Sequence, residues 1–397
     1  MDIVYIAAGT WEAILQRTQA IAIELAREDR VLYVNSTLHS VLGTARRILT
    51  GKSPARPGIR EVQKNLMVLD LPPGPLPGGC NVHALNRGEL WCASLRLRRW
   101  VEKLGFRDYI LWIATPWAAH LAGYLDPMLV CYDCMDNVPA FFPPGRQRAL
   151  VRDLEQWLIA HADVVFASAK ELYDACRTLN PEVHIVGNGV WTAEYAHAQP
   201  APALECLPRP VLGYIGWIGS WVDQAVIALL AERFTTGSLV VVGPVHADIS
   251  QLRGYPNVHF VGRKPHAEIP AYIQGFDVCL IPFVIDELAT AVDPVKFYEY
   301  CAAGKPVVAS ALPELERYRD LCYLAESPTA FVSRVEEALA ETKDSKLSKS
   351  LPQRRRALAS EKSWGAHAAR IREVLAHHCN RKDPAVASAL PQTVVCE

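Results

Sequence analysis

The fold of this chain is restricted most strongly by the alternation of short apolar segments with amphipathic segments of helical length. Residues 3–9 and 31–35 are apolar runs of strand length, and residues 11–28 between them carry apolar side chains at helical spacing. The same alternation continues to residue 188 and starts again at residue 211. Short strands that alternate with helices are typical of βαβ units and of a parallel sheet. The chain is therefore predicted to be an α/β protein with doubly wound parallel sheets.

A break in this pattern predicts two domains. Residues 196–210 are rich in Pro and Ala and show no clear period, which is typical of a linker. Residues 1–195 and 211–360 are then two Rossmann-like domains that face a cleft, followed by a last helix at 361–380 and a frayed tail at 381–397. Ligands of such sheets bind beyond the carboxyl ends of the strands. The strand ends are therefore where functional residues are expected.

Composition excludes several classes of protein. The net charge of −1 argues against a nucleic-acid-binding protein, and a chain that is 50% hydrophobic and 21% charged is not generally disordered. No apolar run reaches the ~18 residues that span a bilayer, and the first residues have the pattern of a strand rather than of a signal peptide. Among the eleven cysteines only Cys131 and Cys134 are close, and no second pair completes a zinc site. We expect a cytoplasmic protein without disulfides or a bound metal.

The near-zero total charge hides a basic stretch at residues 41–107. Twelve basic and four acidic residues give this stretch a net charge of +8. One interpretation is a solvated helix face or loop. The other is a surface that contacts anionic lipid at the inner face of a membrane, with residues 41–52 as a short amphipathic segment. The sequence leaves both interpretations open.

Three strand ends carry glycine or polar residues that suit a ligand site. Gly9, Thr10 and Trp11 follow the first strand, where backbone N–H groups and a glycine let an oxygen-rich ligand approach; the alternative is an ordinary turn with Thr10 as N-cap. Asn188 stands between two glycines in a predicted turn that presents its amide. Gly216 belongs to a glycine-rich turn without the full spacing of a dinucleotide-binding motif. None of these signals identifies a ligand alone.

The most informative strand end is the loop and helix at residues 282–308. Pro294 stands at a favoured first helical position, Asp293 is placed to cap the helix, and Lys296 falls in its first turn. A cation at a helix N-terminus opposes the helix dipole, so an anion such as a diphosphate is expected to share the site. Glu299 lies three residues later on the same face, where its carboxylate can accept two hydroxyl hydrogens from a ribose. The alternative is an exposed Lys–Glu helix pair.

These residues carry a resemblance to a known family. The segment DPVKFYEYCAAGKPVVAS, preceded by FDVCLIPF and VHFVGRKPHAEIPAYI, resembles the nucleotide-sugar-binding half of group 1 (family 4) glycosyltransferases with the two-domain GT-B fold, particularly the bacterial teichuronic-acid-type members. GYIGWIGSWVD, VVVGP and YDCMDNVPAFF resemble further landmarks, and SWGAHAARIREVL resembles the helix that crosses back to the first domain. The resemblance implies transfer of a sugar from a nucleotide-diphosphate-sugar donor to a hydroxyl of a glycan or lipid-linked acceptor in surface polysaccharide biosynthesis.

The resemblance also implies roles for individual residues. Glu299 is the carboxylate that binds the ribose, and Lys296 binds the diphosphate. Arg263 or Lys264 assists Lys296, and Gly216 gives the phosphates room. Four further positions are implied to face the reaction centre or the opening between the domains: Gly9, Thr10, Trp11 and Asn188.

One position departs from the pattern of the family. Many members carry a second Glu eight positions before the ribose-binding Glu, where this chain has Ala291. The contact to the donor sugar must then come from Glu287, from Asp293 or from backbone N–H groups of residues 290–294. The identity of the donor sugar is correspondingly open.

The acceptor is implied to bind at strand ends of the first domain. Asp136 follows the strand at 128–133 and can orient or deprotonate an acceptor hydroxyl; alternatively it caps a turn or a helix. The resemblance implies a retaining reaction without a catalytic metal or other cofactor, because cationic side chains and helix N-termini stabilise the departing diphosphate. A front-face displacement is expected because the sequence offers no obvious carboxylate nucleophile.

Two other functions stay open at this point. A nucleotide-sugar 2-epimerase on a related two-domain fold would interconvert the free donor without an acceptor. A catalytically silent scaffold of a polysaccharide assembly complex, which Ala291 makes conceivable, would bind a donor without transferring it.

Overall fold

The chain forms two compact units. The computed structural model describes residues 1–35, 57–72, 82–341 and 343–382. The first unit comprises Met1–Val186 together with the chain from His367 onward, and the second comprises Gly187–Ala366.

The predicted linker at 196–210 is part of the second unit, so the division falls earlier than expected. Its backbone is tied to that unit by a hydrogen bond from Ala201 N to Ala271 O of 2.9 Å. The side chain of Leu204 is only 1% exposed and packs into the core of the unit. The Pro- and Ala-rich composition of residues 196–210 therefore belongs to an irregular segment that packs against the second unit.

The first unit is built on an eight-stranded sheet within the described residues. Its strands are, in chain order, β1 (Asp2–Ile6), β2 (Arg30–Val34), β3 (Gly58–Gln63), β4 (Leu66–Asp70), β5 (Ile110–Ile113), β6 (Leu129–Cys134), β7 (Val164–Ala167) and β8 (Val183–Ile185). In the order β3-β4-β2-β1-β5-β6-β7-β8, the pair β3–β4 is antiparallel and the other pairs are parallel. The central strands are buried on both faces, as their continuous apolar runs require. The predicted parallel sheet is confirmed.

Helices connect these strands. They are α1 (Arg17–Leu25), α2 (His83–Lys103), α3 (Leu121–Tyr124), α4 (Arg146–His161) and α5 (Lys170–Arg177). The prediction of a first helix from residue 11 was wrong at its start. Gln16 is the N-cap, and its backbone N–H donates to Gln19 Oε1 at 3.1 Å. Thr10 therefore lies in the preceding loop and does not cap the helix.

The second unit contains a six-stranded sheet in which all paired strands are parallel. Its strands are β9 (Val211–Ile215), β10 (Ser238–Val242), β11 (Val258–Gly262), β12 (Val278–Ile281), β13 (Val307–Ser310) and β14 (Tyr323–Ala325). The order β11-β10-β9-β12-β13-β14 is that of a dinucleotide-binding Rossmann sheet. The direction of winding therefore reverses between β9 and β12, which is the switch point of this sheet.

The helices of the second unit pack against this sheet. They are α6 (Ala193–Ala196), α7 (Gln224–Arg233), α8 (Ile269–Gly275), α9 (Val295–Ala302), α10 (Pro328–Glu341) and α11 (Leu347–Glu361). A buried ion pair joins the last two: both Glu341 oxygens accept from the Arg355 guanidinium at 2.7 Å. Arg355 is 0% exposed and also donates from Nε to Leu321 O at 2.8 Å. Such a pair is stable only because its hydrogen bonds are satisfied together.

The last described helix, α12 (Trp364–Lys382), belongs with the first unit from His367 onward. Arg372 binds Asp29 at 2.8 Å and Glu28 at 2.9 Å, although these residues lie more than 340 positions earlier in the chain. The half-buried guanidinium also donates to the carbonyl groups at the end of α1. These hydrogen bonds anchor α12 to the C-terminal end of α1.

The basic stretch at 41–107 is described only in part. The predicted amphipathic segment at 41–52 lies outside the described residues. Arg60 forms ion pairs with Asp70 and Glu12, and Arg98 donates to Tyr124 O at 2.8 Å. Among the described residues, no helix combines the length and the hydropathy required to cross a bilayer.

Candidate functional site

Lys296 lies in the first turn of α9, close to the switch point of the second sheet. The structure starts this helix at Val295 with Pro294 as N-cap, one residue later than predicted. The half-buried Lys296 ammonium lies 4.6 Å from the centroid of the Phe283 ring and 5.6 Å from that of Tyr214. Burial lowers the pKa of Lys296 to about 8, and the charge of Glu299 only partly opposes this effect. Since burial disfavours the charged form, an anion bound beside the ammonium would stabilise it.

A glycine turn lies beside the Lys296 side chain. Gly216 follows β9 with φ of +135°, and a Cβ there would come within 3.2 Å of both Lys296 Cε and the Tyr214 hydroxyl. Gly243 follows β10 with φ of +147°, and a Cβ at this position would overlap the carbonyl oxygen of Gly216. The turns after β9 and β10 thus approach each other closely at these two glycines, and the room at Gly216 is used in part by the stem of Lys296.

Glu299 lies on the same face of α9 and has close polar neighbours. Its side chain is 13% exposed, and Oε1 lies 3.8 Å from His266 Nε2. The other ring nitrogen of His266 lies 3.5 Å from Glu194. Burial alone would lower the pKa of His266, but its interaction with the Glu299 carboxylate, together with the charge of Glu194, raises it. The cationic form of His266 is therefore favoured between the two carboxylates.

Tyr195 completes this group from α6. Its ring is 2% exposed, and its hydroxyl is buried. Burial, and next the negative charge of Glu299, hold the pKa of Tyr195 well above its ordinary range. Sequence analysis missed His266, Tyr195 and Glu194, because nothing in their local sequence connects them with a helix that begins at Val295.

Arg263 and Lys264 follow β11, as predicted. Arg263 is exposed. The ammonium of Lys264 lies 3.9 Å from Glu268 and 5.6 Å from the centroid of the Tyr272 ring. Lys264 therefore interacts within its own turn and the following helix, and its assistance to Lys296 stays a prediction.

Asp293 and Asn188 have a structural role that the sequence did not predict. Asp293 is 3% exposed, and its oxygens accept from Asn188 N at 2.6 Å and from the Tyr298 hydroxyl at 2.8 Å. Asn188 Nδ2 donates back to Asp293 O at 2.6 Å. The prediction that Asp293 caps α9 was wrong, because Pro294 is the N-cap and the Asp293 carboxylate accepts from Asn188 and Tyr298. The predicted contact of Asp293 with a donor sugar stays a prediction.

The loop before α9 holds the remaining candidates for a sugar contact. Ala291 is 1% exposed in a short 3-10 turn, Ala289–Ala291. The backbone N–H groups of Thr290, Ala291 and Val292 donate to carbonyl oxygens of the same loop. Glu287 carries an exposed side chain on this loop. Of the predicted alternatives, Glu287 is thus the carboxylate that a ligand can reach.

The loop after β1 holds Gly9, Thr10 and Trp11, all half-buried. Trp11 N donates to Asn35 Oδ1 at 2.7 Å, and the Thr10 carbonyl accepts from Ala13 N at 3.0 Å. The backbone of this loop is therefore partly committed to internal hydrogen bonds. Its predicted role toward a substrate is untested.

Asp136 lies beyond the end of β6 beside a buried ion pair. Asp133 is 1% exposed and accepts from Arg17, which is 3% exposed, at 2.8 Å. Burial raises the pKa of Asp136 to about 7, against the lowering effect of the Arg17 charge. Glu155, which accepts from the Tyr132 hydroxyl at 2.6 Å, also has its pKa raised to about 7 by burial. A carboxyl group with this pKa can exchange a proton with a hydroxyl near neutral pH.

Solved structures similar to this chain share its two-unit fold. Sucrose-phosphate synthase from Thermosynechococcus elongatus superimposes with a TM-score of 0.73 at 16% identity, over 95% of this chain and 98% of that one. Anabaena HepE in complex with UDP and glucose gives a TM-score of 0.65 at 15% identity, over 95% of this chain and 100% of that one. At these identities the likeness shows the fold alone, which is the GT-B fold.

Sequence comparison adds the family. The profile described as "Glycosyl transferases group 1" matches residues 209–341. A Bacillus subtilis protein described as the teichuronic acid biosynthesis glycosyltransferase TuaH is 28% identical over 277 residues, 64% of this chain and 68% of the relative. The 2-deoxystreptamine glucosyltransferase of Streptomyces kanamyceticus is 30% identical over 311 residues, 68% of this chain and 76% of the relative. The chain therefore belongs to the group 1 glycosyltransferases.

Proposed function

We propose that this glycosyltransferase takes its sugar from a nucleoside-diphosphate sugar and transfers it to a hydroxyl of a glycan or lipid-linked acceptor in surface polysaccharide biosynthesis. The observation that carries the proposal is the presence of Lys296 and Glu299 on the first turns of α9, beside the glycine turn at Gly216. Two relatives support the donor and the pathway: HepE binds UDP and glucose, and TuaH is described as acting in teichuronic acid biosynthesis.

The donor is held by opposite charges one helical turn apart. The diphosphate accepts a hydrogen bond from Lys296 and stabilises its charged form, which burial disfavours. The Glu299 carboxylate accepts hydrogen bonds from the ribose hydroxyls. His266 holds the Glu299 side chain in place from the other side, at 3.8 Å. Glu287, on the exposed part of the preceding loop, takes the sugar contact that Ala291 cannot make.

The reaction is proposed to be retaining and independent of a metal. The departing diphosphate is stabilised by Lys296 and by the first N–H groups of α9, since both are fixed before the reaction begins. Asp136 orients the acceptor hydroxyl or removes its proton, which its pKa near neutrality permits. A front-face displacement assisted by the leaving group is the simplest step that these residues can carry.

A contact with the membrane is proposed for helix α2. Trp91 is 54% exposed and Leu95 is 43% exposed, although both are large apolar residues. The exposed Arg87 and Arg98 lie one turn to either side of them on the same helix. An apolar pair flanked by cations fits the interface of an anionic bilayer, where a lipid-linked acceptor would be found.

Nucleotide binding tests the donor site. In a thermal-shift and calorimetric screen of uridine, guanosine and thymidine diphosphates, one is expected to raise the melting temperature of the wild type. Glu299→Gln and Lys296→Met should weaken that binding at least tenfold, since a hydrogen bond to a charged group is worth about 1.5–3 kcal/mol. Glu268→Gln, an exposed carboxylate of the same unit, should leave the binding unchanged. A panel without any shift in the wild type would contradict the proposed donor.

The anomeric configuration of the product tests the stereochemistry. NMR of the isolated product should show the same anomer as the donor, and transfer should continue in the presence of a chelator. An inverted anomer would exclude the front-face displacement, while leaving the donor site in place.

The pH dependence of transfer tests the two ionisations together. With increasing pH, kcat/KM should rise through a pKa of about 7 as Asp136 loses its proton. It should fall through a pKa of about 8 as Lys296 loses its proton, which gives a bell-shaped profile. Asp136→Asn should abolish the rising limb and lower the rate by about 10²–10⁴-fold. Glu155→Gln removes a neighbouring carboxyl of similar pKa and should keep the limb. Loss of the rising limb in Glu155→Gln would assign the removal of the acceptor proton to Glu155.

Vesicle sedimentation tests the membrane contact. The protein should bind vesicles that contain phosphatidylglycerol better than neutral ones, and salt should weaken the binding. Leu95→Ser should reduce it, whereas Leu179→Ser, which changes a leucine of similar exposure elsewhere on the first unit, should not. Equal effects of the two variants would show that α2 is not the contact surface.

A further inference from the structure

A cluster of potential metal ligands lies at the edge of the first sheet, apart from the residues discussed above. Glu182 directly precedes the edge strand β8 and His184 lies within it, and their spacing of two places them on one face of the strand. His378 comes from α12, in the same unit. One ligand atom of each residue can be chosen so that all three lie within 4.8 Å of one another.

The imidazole of His378 is prepared to act as a ligand. Its Nδ1 lies 2.9 Å from Val374 O, and because a carbonyl only accepts, Nδ1 carries the hydrogen. Nε2 is buried, has no hydrogen-bond partner among the described residues and lies 3.4 Å from Glu182 Oε2. The whole residue is 7% exposed. A backbone carbonyl that orients the remote nitrogen is the usual support of a metal-bound histidine.

His184 also has a ring nitrogen without a hydrogen-bond partner within the described ranges. Its Nε2 is also buried without a hydrogen-bond partner in the part of the chain that the structure describes. The two rings lie 6.1 Å apart between centroids, nearly perpendicular. Two buried nitrogens that lack a hydrogen-bond partner among the described residues are costly, and a cation bound to both rings would offset this cost.

We propose that Glu182, His184 and His378 bind one divalent transition-metal ion of the zinc class. Two imidazoles and a carboxylate are a ligand set that such ions prefer. The 3.4 Å between His378 Nε2 and Glu182 Oε2 is close to the ~3.3 Å that separates two ligands of a tetrahedral zinc with bonds of ~2.0–2.1 Å. The ion would join α12 to the edge strand β8 and leave its fourth position to water.

A neighbouring arginine competes for the carboxylate. Arg381 lies 3.5 Å from Glu182 and is 58% exposed, so it can turn away into solvent when a cation binds. Arg370 and Arg177 also contribute positive charge near His184. The metal must therefore overcome local repulsion, and removal of Arg381 should strengthen its binding.

Metal titration of the full-length, tag-free protein after dialysis against a chelator tests the proposal. Co²⁺ should bind with one ion per chain and give the visible absorption of a tetrahedral site, and Zn²⁺ should displace it. His184→Gln and His378→Gln should each weaken Co²⁺ binding at least tenfold, and Arg381→Ala should tighten it. His377→Gln is the matched control, because His377 is the exposed neighbour of His378 on the same helix and lies outside the cluster.

The variant Glu182→Gln distinguishes the loss of a metal ligand from the loss of the fold. The Glu182 side chain is 41% exposed, so its replacement disturbs no packing, yet it should lower Co²⁺ affinity like the histidine variants. Zn²⁺ should also raise the melting temperature of the wild type and of His377→Gln, but not of Glu182→Gln. The proposal would be overturned if the wild type bound no Co²⁺ at one equivalent. It would also be overturned if His377→Gln lowered the Co²⁺ affinity as much as His184→Gln does.

Discussion

The parallel pairing of β9 with β12 is the constraint on which the site of the second unit depends. Two parallel strands end at the same edge, so the turns after them must share one small region of space. Gly213 makes this pairing possible, since any Cβ there would overlap the ring of Phe276, which leads into β12. The helix that leaves this edge, α9, then brings Lys296 against Phe283 and Tyr214.

Burial has opposite consequences for paired and for solitary charges in this protein. The pairs Arg355–Glu341 and Arg17–Asp133 are fully enclosed, with short hydrogen bonds that fix both charges. At Asp136 and Lys296 the dominant effect is desolvation, which brings both pKa values toward neutrality from opposite sides. The first kind of buried charge stabilises the fold, and the second kind can take up or release a proton during a reaction.

The sequence predicted what is local and missed what depends on distant contacts. Periodicity identified the strands and helices, and the spacing of Lys296 and Glu299 predicted their common face because a helix fixes it. His266 and Tyr195 reach Glu299 from elements 33 and 104 residues earlier, so no local pattern reveals them. The same reason explains Asp293: it had the sequence position of a helix cap, but Asn188, 105 residues away, engages its carboxylate.

The packing of α12 in the first unit has a consequence for the synthesis of the protein on the ribosome. Until residue 372 has been synthesised, the first unit lacks its last helix, and Asp29 and Glu28 lack the guanidinium of Arg372. The second unit, Gly187–Ala366, is continuous in sequence and is therefore complete earlier. At ~5–20 residues per second, the synthesis of the second unit takes on the order of ten to forty seconds. During this time the N-terminal unit lacks its last helix. The first unit can therefore take its final form only after the whole second unit has been synthesised.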